Sequence, residues 1–145
     1  MENPGRKRIK KLKHKTFEAL LWRACDTGRQ DVVQLLIHNY PNLNAKDDSG
    51  RTVFMIACKD GREDVVQLII DHSGPNINLN TRDNNGDTAF MLACNYGHKD
   101  VVQLLLEHFD QNIDLQAKDK KGKTVFKPAL SERHKEIVQL LEKLY

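Results

Sequence analysis

Nowhere in the 145 residues does an apolar run approach the roughly 18 needed to cross a bilayer, so no membrane-spanning helix is expected. The first residues are basic and lack the apolar core of a secretory signal, which makes cytoplasm or nucleus the expected compartment. Cysteine is scarce. Cys25, Cys58 and Cys94 form no CxxC pair, and their separations of 33 and 36 residues suit a repeat better than a disulfide or zinc set. Signatures of catalysis are missing too: there is no glycine-rich phosphate loop, no HExxH and no GxSxG. The six histidines, at 14, 38, 72, 98, 108 and 134, have no partner motif. Neither an enzyme nor a bound metal or cofactor is expected. A mean hydropathy of −0.60, with 39% hydrophobic and 30% charged residues, is polar for a globular domain yet too apolar for a disordered one. A chain of this length has apolar surface for one continuous folding unit.

The net charge of +3 conceals an asymmetry. Arg6, Lys7, Arg8, Lys10, Lys11, Lys13 and Lys15 stand before residue 16 against Glu2 alone, and without this segment 16 basic and 19 acidic residues remain. The body is therefore slightly acidic, and the basic character belongs to the tail. Three readings of that tail stand: a solvated arm, a nuclear-import signal, or a contact with nucleic acid or an acidic membrane. It carries no aromatic residue for base stacking, which argues against specific RNA recognition. Ile9 and Leu12 interrupt the charges at helical spacing, so the tail could extend a first helix.

What the chain has in abundance is repetition. Val32-Val-Gln-Leu-Leu36, Val65-Val-Gln-Leu-Ile69, Val101-Val-Gln-Leu-Leu105 and Ile137-Val-Gln-Leu-Leu141 recur at offsets of 33, 36 and 36. Thr52–Cys58, Thr88–Cys94 and Thr124–Leu130 precede three of them, and Asp47–Gly50, Asp83–Gly86 and Asp119–Gly122 precede those. In Asp-x-x-Gly the carboxylate accepts a backbone N–H two residues on, and the glycine takes the positive φ that closes a turn. The following threonine suits an N-cap, and Phe, Ala and Cys then share one helical face. Gly28, Gly61 and Gly97 end that helix. A second helix opens with Asp31, Asp64, Asp100 or Glu136, where the helix dipole favours an acid. Its apolar face is too broad for one neighbour, so units must stack on both sides, with Leu68 and Leu104 in the inter-repeat core.

These units resemble ankyrin repeats, four of them over about 16–145. The resemblance implies an all-α solenoid of helix-turn-helix units joined by short β-hairpin turns. It divides the chain into a basic tail (1–15), an N-terminal capping repeat (16–46), two full repeats (47–82 and 83–118) and a C-terminal capping repeat (119–145). Asp47–Gly61 and Asp83–Gly97 fit the family pattern best, but its proline is replaced by Val53, Ala89 and Val125, its leucine by Phe54, Phe90 and Phe126, and its histidine by Met55, Met91 and Lys127. Stability should lean on apolar packing instead, with both methionines filling core gaps. Repeats two and three carry three additional residues before the next hairpin, read as a longer loop on one edge. Trp22 is either cap packing or an exposed contact.

Ankyrin repeats bind proteins through hairpin tips and the concave face of their first helices. That resemblance implies a monomeric, non-catalytic interaction module with an unidentified protein partner. Contacts would come from Asp48, Ser49, Arg51, Lys59 and Asp60 in repeat two, Asn84, Asn85, Asp87, Asn95 and Tyr96 in repeat three, and Lys120, Lys121 and Lys123 in repeat four. Tyr96 is the expected anchor, because aromatic residues are enriched among binding hot spots. Two other readings are nucleic-acid or acidic-surface association through the tail, and a segment of a longer array.

Overall fold

The computed structural model describes residues 14–39, 43–74, 77–109, 112–125 and 135–143, with side chains from Ala19 onward. Seven helices are formed among them: α1 (His14–Thr27), α2 (Gln30–Asn39), α3 (Val53–Lys59), α4 (Glu63–Ser73), α5 (Ala89–Asn95), α6 (Lys99–Phe109) and α7 (Lys135–Glu142). They stack in two layers. The first helices follow one another as α1, α3 and α5, and the second helices as α2, α4, α6 and α7, while α1 and α2, α3 and α4, and α5 and α6 also pack within their own units. The first helix of the fourth unit, with Phe126, Lys127 and Pro128, lies outside the described residues.

Local chemistry sets each unit. The Thr52 and Thr88 hydroxyls accept the amides of Met55 and Met91, at 3.3 and 3.2 Å, capping α3 and α5 as their sequence positions require. Gly28, Gly61 and Gly97 take φ of 72, 69 and 74°, and the next residue's amide reaches back to the carbonyl of Ala24, Ala57 or Ala93 at 2.9–3.0 Å. That Schellman-type closure satisfies carbonyls left open at the end of the first helix. At Gly61 the absence of Cβ matters twice, because a side chain there would run into the His98 ring of the next unit.

The hairpins between units are tight turns, with no strand among the described residues. Asp47, Asp83 and Asp119 each accept two backbone amides on Oδ1, from residues two and four further on, at 2.8–2.9 Å. Five residues are thereby held by one carboxylate.

One continuous apolar core runs through the stack, from Leu21 and Cys25 through Met55, Cys58, Met91 and Leu92 to Ile137 and Leu141. Met55 and Met91 are buried in it, as expected for gap-fillers beside Phe54 and Phe90. Each fully buried Val, Leu or Ile contributes roughly 1.5–3 kcal/mol as an upper figure, so the faces between units dominate stability. Leu104 belongs to this core at 8% exposure, but Leu68, expected beside it, is only partly buried. Leu68 borders an outer groove with Gln34, Ile37 and His38 of α2, so the junction between the first two units is looser on that side. The longer loops after α4 and α6 lay Ile77, Leu79, Ile113 and Leu115 against the core. Trp22 is half-buried against it too, its indole N–H buried without a partner.

Candidate functional site

The tips are stitched to one another through the backbone. Asn84 N–H donates to the Ser49 carbonyl at 2.9 Å, and Lys120 N–H to the Asn85 carbonyl at 3.0 Å. The residue before each tip adds a long-armed cation: Lys46 Nζ donates to the Arg82 carbonyl at 3.3 Å, and Arg82 Nη1 to the Lys118 carbonyl at 2.7 Å. At the ends of the first helices, Arg62 Nη2 donates to the Asp26 carbonyl at 2.9 Å, and the His98 ring Nε2 lies 2.7 Å from the Lys59 carbonyl. Arg62 and His98 follow helix-ending glycines. His98, one of the histidines without a partner motif, is thereby a link between units. In three of the four side-chain links donor and acceptor stand 36 residues apart, the period of the later repeats.

Against this scaffold the thirteen candidate contact residues separate. Asp48, Ser49, Asn84, Asn85, Lys120, Lys121 and Lys123 are exposed. Asn84 also donates its side-chain amide to the Asp48 carbonyl at 2.9 Å. Arg51 is turned inward: its Nε donates to Asp83 Oδ2 of the next tip at 3.1 Å, and the Asp83 side chain is wholly buried. Asp87 is buried at 7% exposure, and its Oδ1 has no hydrogen-bond partner. Burial, then the Asp83 and Asp119 carboxylates, push Asp87 up to about 6 against the pull of Arg51 and Arg82.

Six of the thirteen meet in one place. Asn85, Asp87, Asn95, Lys120, Lys121 and Lys123, together with Asp119, line a cleft of about 510 Å³ between the tips of the third and fourth units and the end of α5. Asp119, a turn former by its sequence pattern, also joins the wall because its tip folds beside the end of α5.

Tyr96 caps α5 with 45% of its surface exposed, and the Lys59 ammonium lies 5.2 Å from its ring centroid. Lys59 also stands 3.7 Å from Asp60 Oδ1. Burial, a hydrogen bond with Asp26 and the charge of Asp26 hold the Asp60 carboxyl above its ordinary range. The other Asp60 oxygen is buried without a partner. In the tail, Arg6, Lys7, Arg8, Lys10, Lys11 and Lys13 lie outside the described residues, as does the side chain of Lys15.

Cys25, Cys58 and Cys94 are free thiols at equivalent points of three first helices. Burial holds all three well above the ordinary thiol range, so their role is packing. Among the described residues no cluster of His, Cys, Asp or Glu has the make-up of a metal site, and no helix is long and apolar enough to cross a membrane.

Two stacked layers of helices, joined by carboxylate-locked tips and bonded unit to unit, define a helix-turn-helix repeat protein. The family model for ankyrin repeats (3 copies) matches residues 6–83 and 75–144, and the chain belongs to that family. No curated protein matches the chain.

Proposed function

We propose that the chain is a non-catalytic recognition module that binds a partner protein across its hairpin tips and the exposed ends of its first helices. Ankyrin repeats in general serve protein–protein interaction. The observation that carries the assignment to this face is the meeting of six candidate side chains in one cleft, beside an exposed aromatic residue. Backbone stitching fixes these positions before a partner arrives, which lowers the ordering cost of association. Capping units at 16–46 and 119–145 around repeats at 47–82 and 83–118 belong to this reading.

The test is an unbiased partner screen followed by alanine substitution. Tyr96→Ala, and alanine at Asn85, Lys121 and Lys123 together, are expected to weaken the partner about tenfold or more with unchanged folding, as hot-spot truncation does. A partner indifferent to all four changes, yet lost on altering Gln34, Gln67 or Gln103 along the second helices, would overturn the assignment to the tip side.

A further inference from the structure

The residue after the tip glycine is Arg51 in the second unit, Asp87 in the third and Lys123 in the fourth. In the second unit it closes the junction, with Arg51 Nε donating to the buried Asp83 of the next tip at 3.1 Å. The equivalent partner of Asp87 is Asp119. Repeat symmetry thus sets a carboxylate toward a carboxylate where the preceding junction sets a guanidinium toward a carboxylate. Both acids line the cleft between the tips of the third and fourth units, and Asp87 Oδ1 is buried without a donor. The two guanidinium groups of the chain that lower the Asp87 pKa are already engaged, Arg51 with Asp83 and Arg82 with the carbonyls of Gly86 and Lys118. Asp119 spends Oδ1 on the amides of Lys121 and Lys123.

The geometry points to a subsite for one arginine side chain of the partner, entering this cleft to bridge Asp87 and Asp119 as Arg51 engages Asp83 one unit earlier. This rests on the recognition reading above and adds what the partner carries. Arginine fits because its planar fork can donate to two carboxylates and keeps its charge at any relevant pH. The rim of Lys120, Lys121 and Lys123 selects the surroundings of that arginine: acidic neighbours meet opposite charge, and a polybasic segment is repelled.

Titrating the full chain with acetyl-Glu-Ala-Arg-Ala-Glu-amide and with its citrulline counterpart tests this, read from backbone amide NMR shifts. The arginine peptide is expected to shift the amides of residues 85–88 and 119–123, and to bind at least about tenfold tighter than the citrulline peptide, or about 1.4 kcal/mol. Asp87→Asn should erase that difference. Asp87→Arg supplies the guanidinium from within, so this variant should melt above the wild type and ignore the peptide. Equal behaviour of the two peptides up to about 10 mM, well into the range where one charge-assisted contact registers, overturns the subsite, as does a difference that survives Asp87→Asn. A screened partner that needs Tyr96 but is indifferent to Asp87→Asn sinks the subsite and leaves the recognition face standing. A peptide response dependent on Asp87, with every screened partner bound along the second helices, does the reverse.

Discussion

The junction between the second and third units differs from the junctions on either side of it. There the tip acid is paired, Asp83 with Arg51 at 3.1 Å, and the second-helix leucine, Leu104, is buried. The junction before it leaves Leu68 only partly buried and sets Asp60 beside Asp26; the junction after it sets Asp87 beside Asp119. Backbone stitching is the same at the two later tips. A repeated scaffold therefore fixes geometry, while the identity of one side chain per unit decides whether a junction is closed or left with an unmet charge. Closed junctions hold the array together, and open ones are where something else can be held.

Truncating one repeated leucine at three places breaks this comparison most directly. Leu104→Ala should cost about 2–4 kcal/mol, because a buried leucine loses both transfer free energy and cavity-free packing. Leu68→Ala should cost less. Leu35, at 54% exposure on the outermost described unit, should stay within about 0.5 kcal/mol. Urea unfolding of the three variants checks the order, and equal costs would mean that the outer groove beside Leu68 closes in solution.

Next in size is the ion pair. Asp83→Asn removes the charge opposite Arg51 while keeping an oxygen for the amides of Asn85 and Asp87, so it isolates the bridge between units from the turn. Breaking a largely buried pair leaves an uncompensated charge, and about 2 kcal/mol is expected here because Arg51 keeps some contact with solvent. Asp119→Asn, which has no such bridge among its described bonds, should cost under about 1 kcal/mol. Thermal melts of the pair of variants make the comparison.

Much of this was legible beforehand, and the division has a physical reason. Period, turn chemistry, capping and helix ends follow from bonds within a few residues, so Asp47, Thr52 and Gly61 announce themselves. Links between units were less visible, because Arg62, Arg82 and His98 act on carbonyls, which every residue offers. Asp87 shows the limit most clearly. Its position follows the tip glycine, where Lys123 is exposed, yet here the residue is buried between two tips. Which candidate side chains share a cleft depends on how one unit leans on the next, a property that no single repeat encodes.

Asp87 and Asp60 give the two flanking junctions a pH dependence. Asp87 is raised to about 6 from an ordinary value of 3.8, chiefly by burial and then by Asp83 and Asp119, with Arg51 and Arg82 opposing. Asp60 is raised by burial and Asp26, with Lys59 and Arg62 opposing. A carboxyl raised in the folded state favours folding when protonated, so this contribution is fully present below the unfolded pKa and is lost as pH rises through the folded one. For Asp87 the window runs from about 4 to about 6. Asp60→Asn and Asp87→Asn together should raise stability at pH 7.5 by about 1–2 kcal/mol, a discounted figure for partly solvated groups, and the gain should shrink at pH 4.5. A gain that is the same at both pH values would place the benefit elsewhere than in charge.

A small effect on stability is also expected at the residue that should matter most for binding. Tyr96 ends α5 with nearly half its surface in solvent, and its one described ring contact is the Lys59 ammonium at 5.2 Å. An exposed cation–π contact contributes about 0.5 kcal/mol, and the backbone at this point is held independently, by Tyr96 N–H to the Leu92 carbonyl and Gly97 N–H to the Cys94 carbonyl. Tyr96→Ala should therefore melt within about 2–3 °C of the wild type, the shift that half a kcal/mol gives in a domain of this size. Tyr96→Phe should be neutral to stability, because the ring and its ammonium remain. If Tyr96→Ala instead costs as much as Leu68→Ala, the ring is part of the architecture that joins the second and third units. The closed junction would then extend onto the face assigned here to a partner, and the contrast between holding together and holding something else would fail at that point.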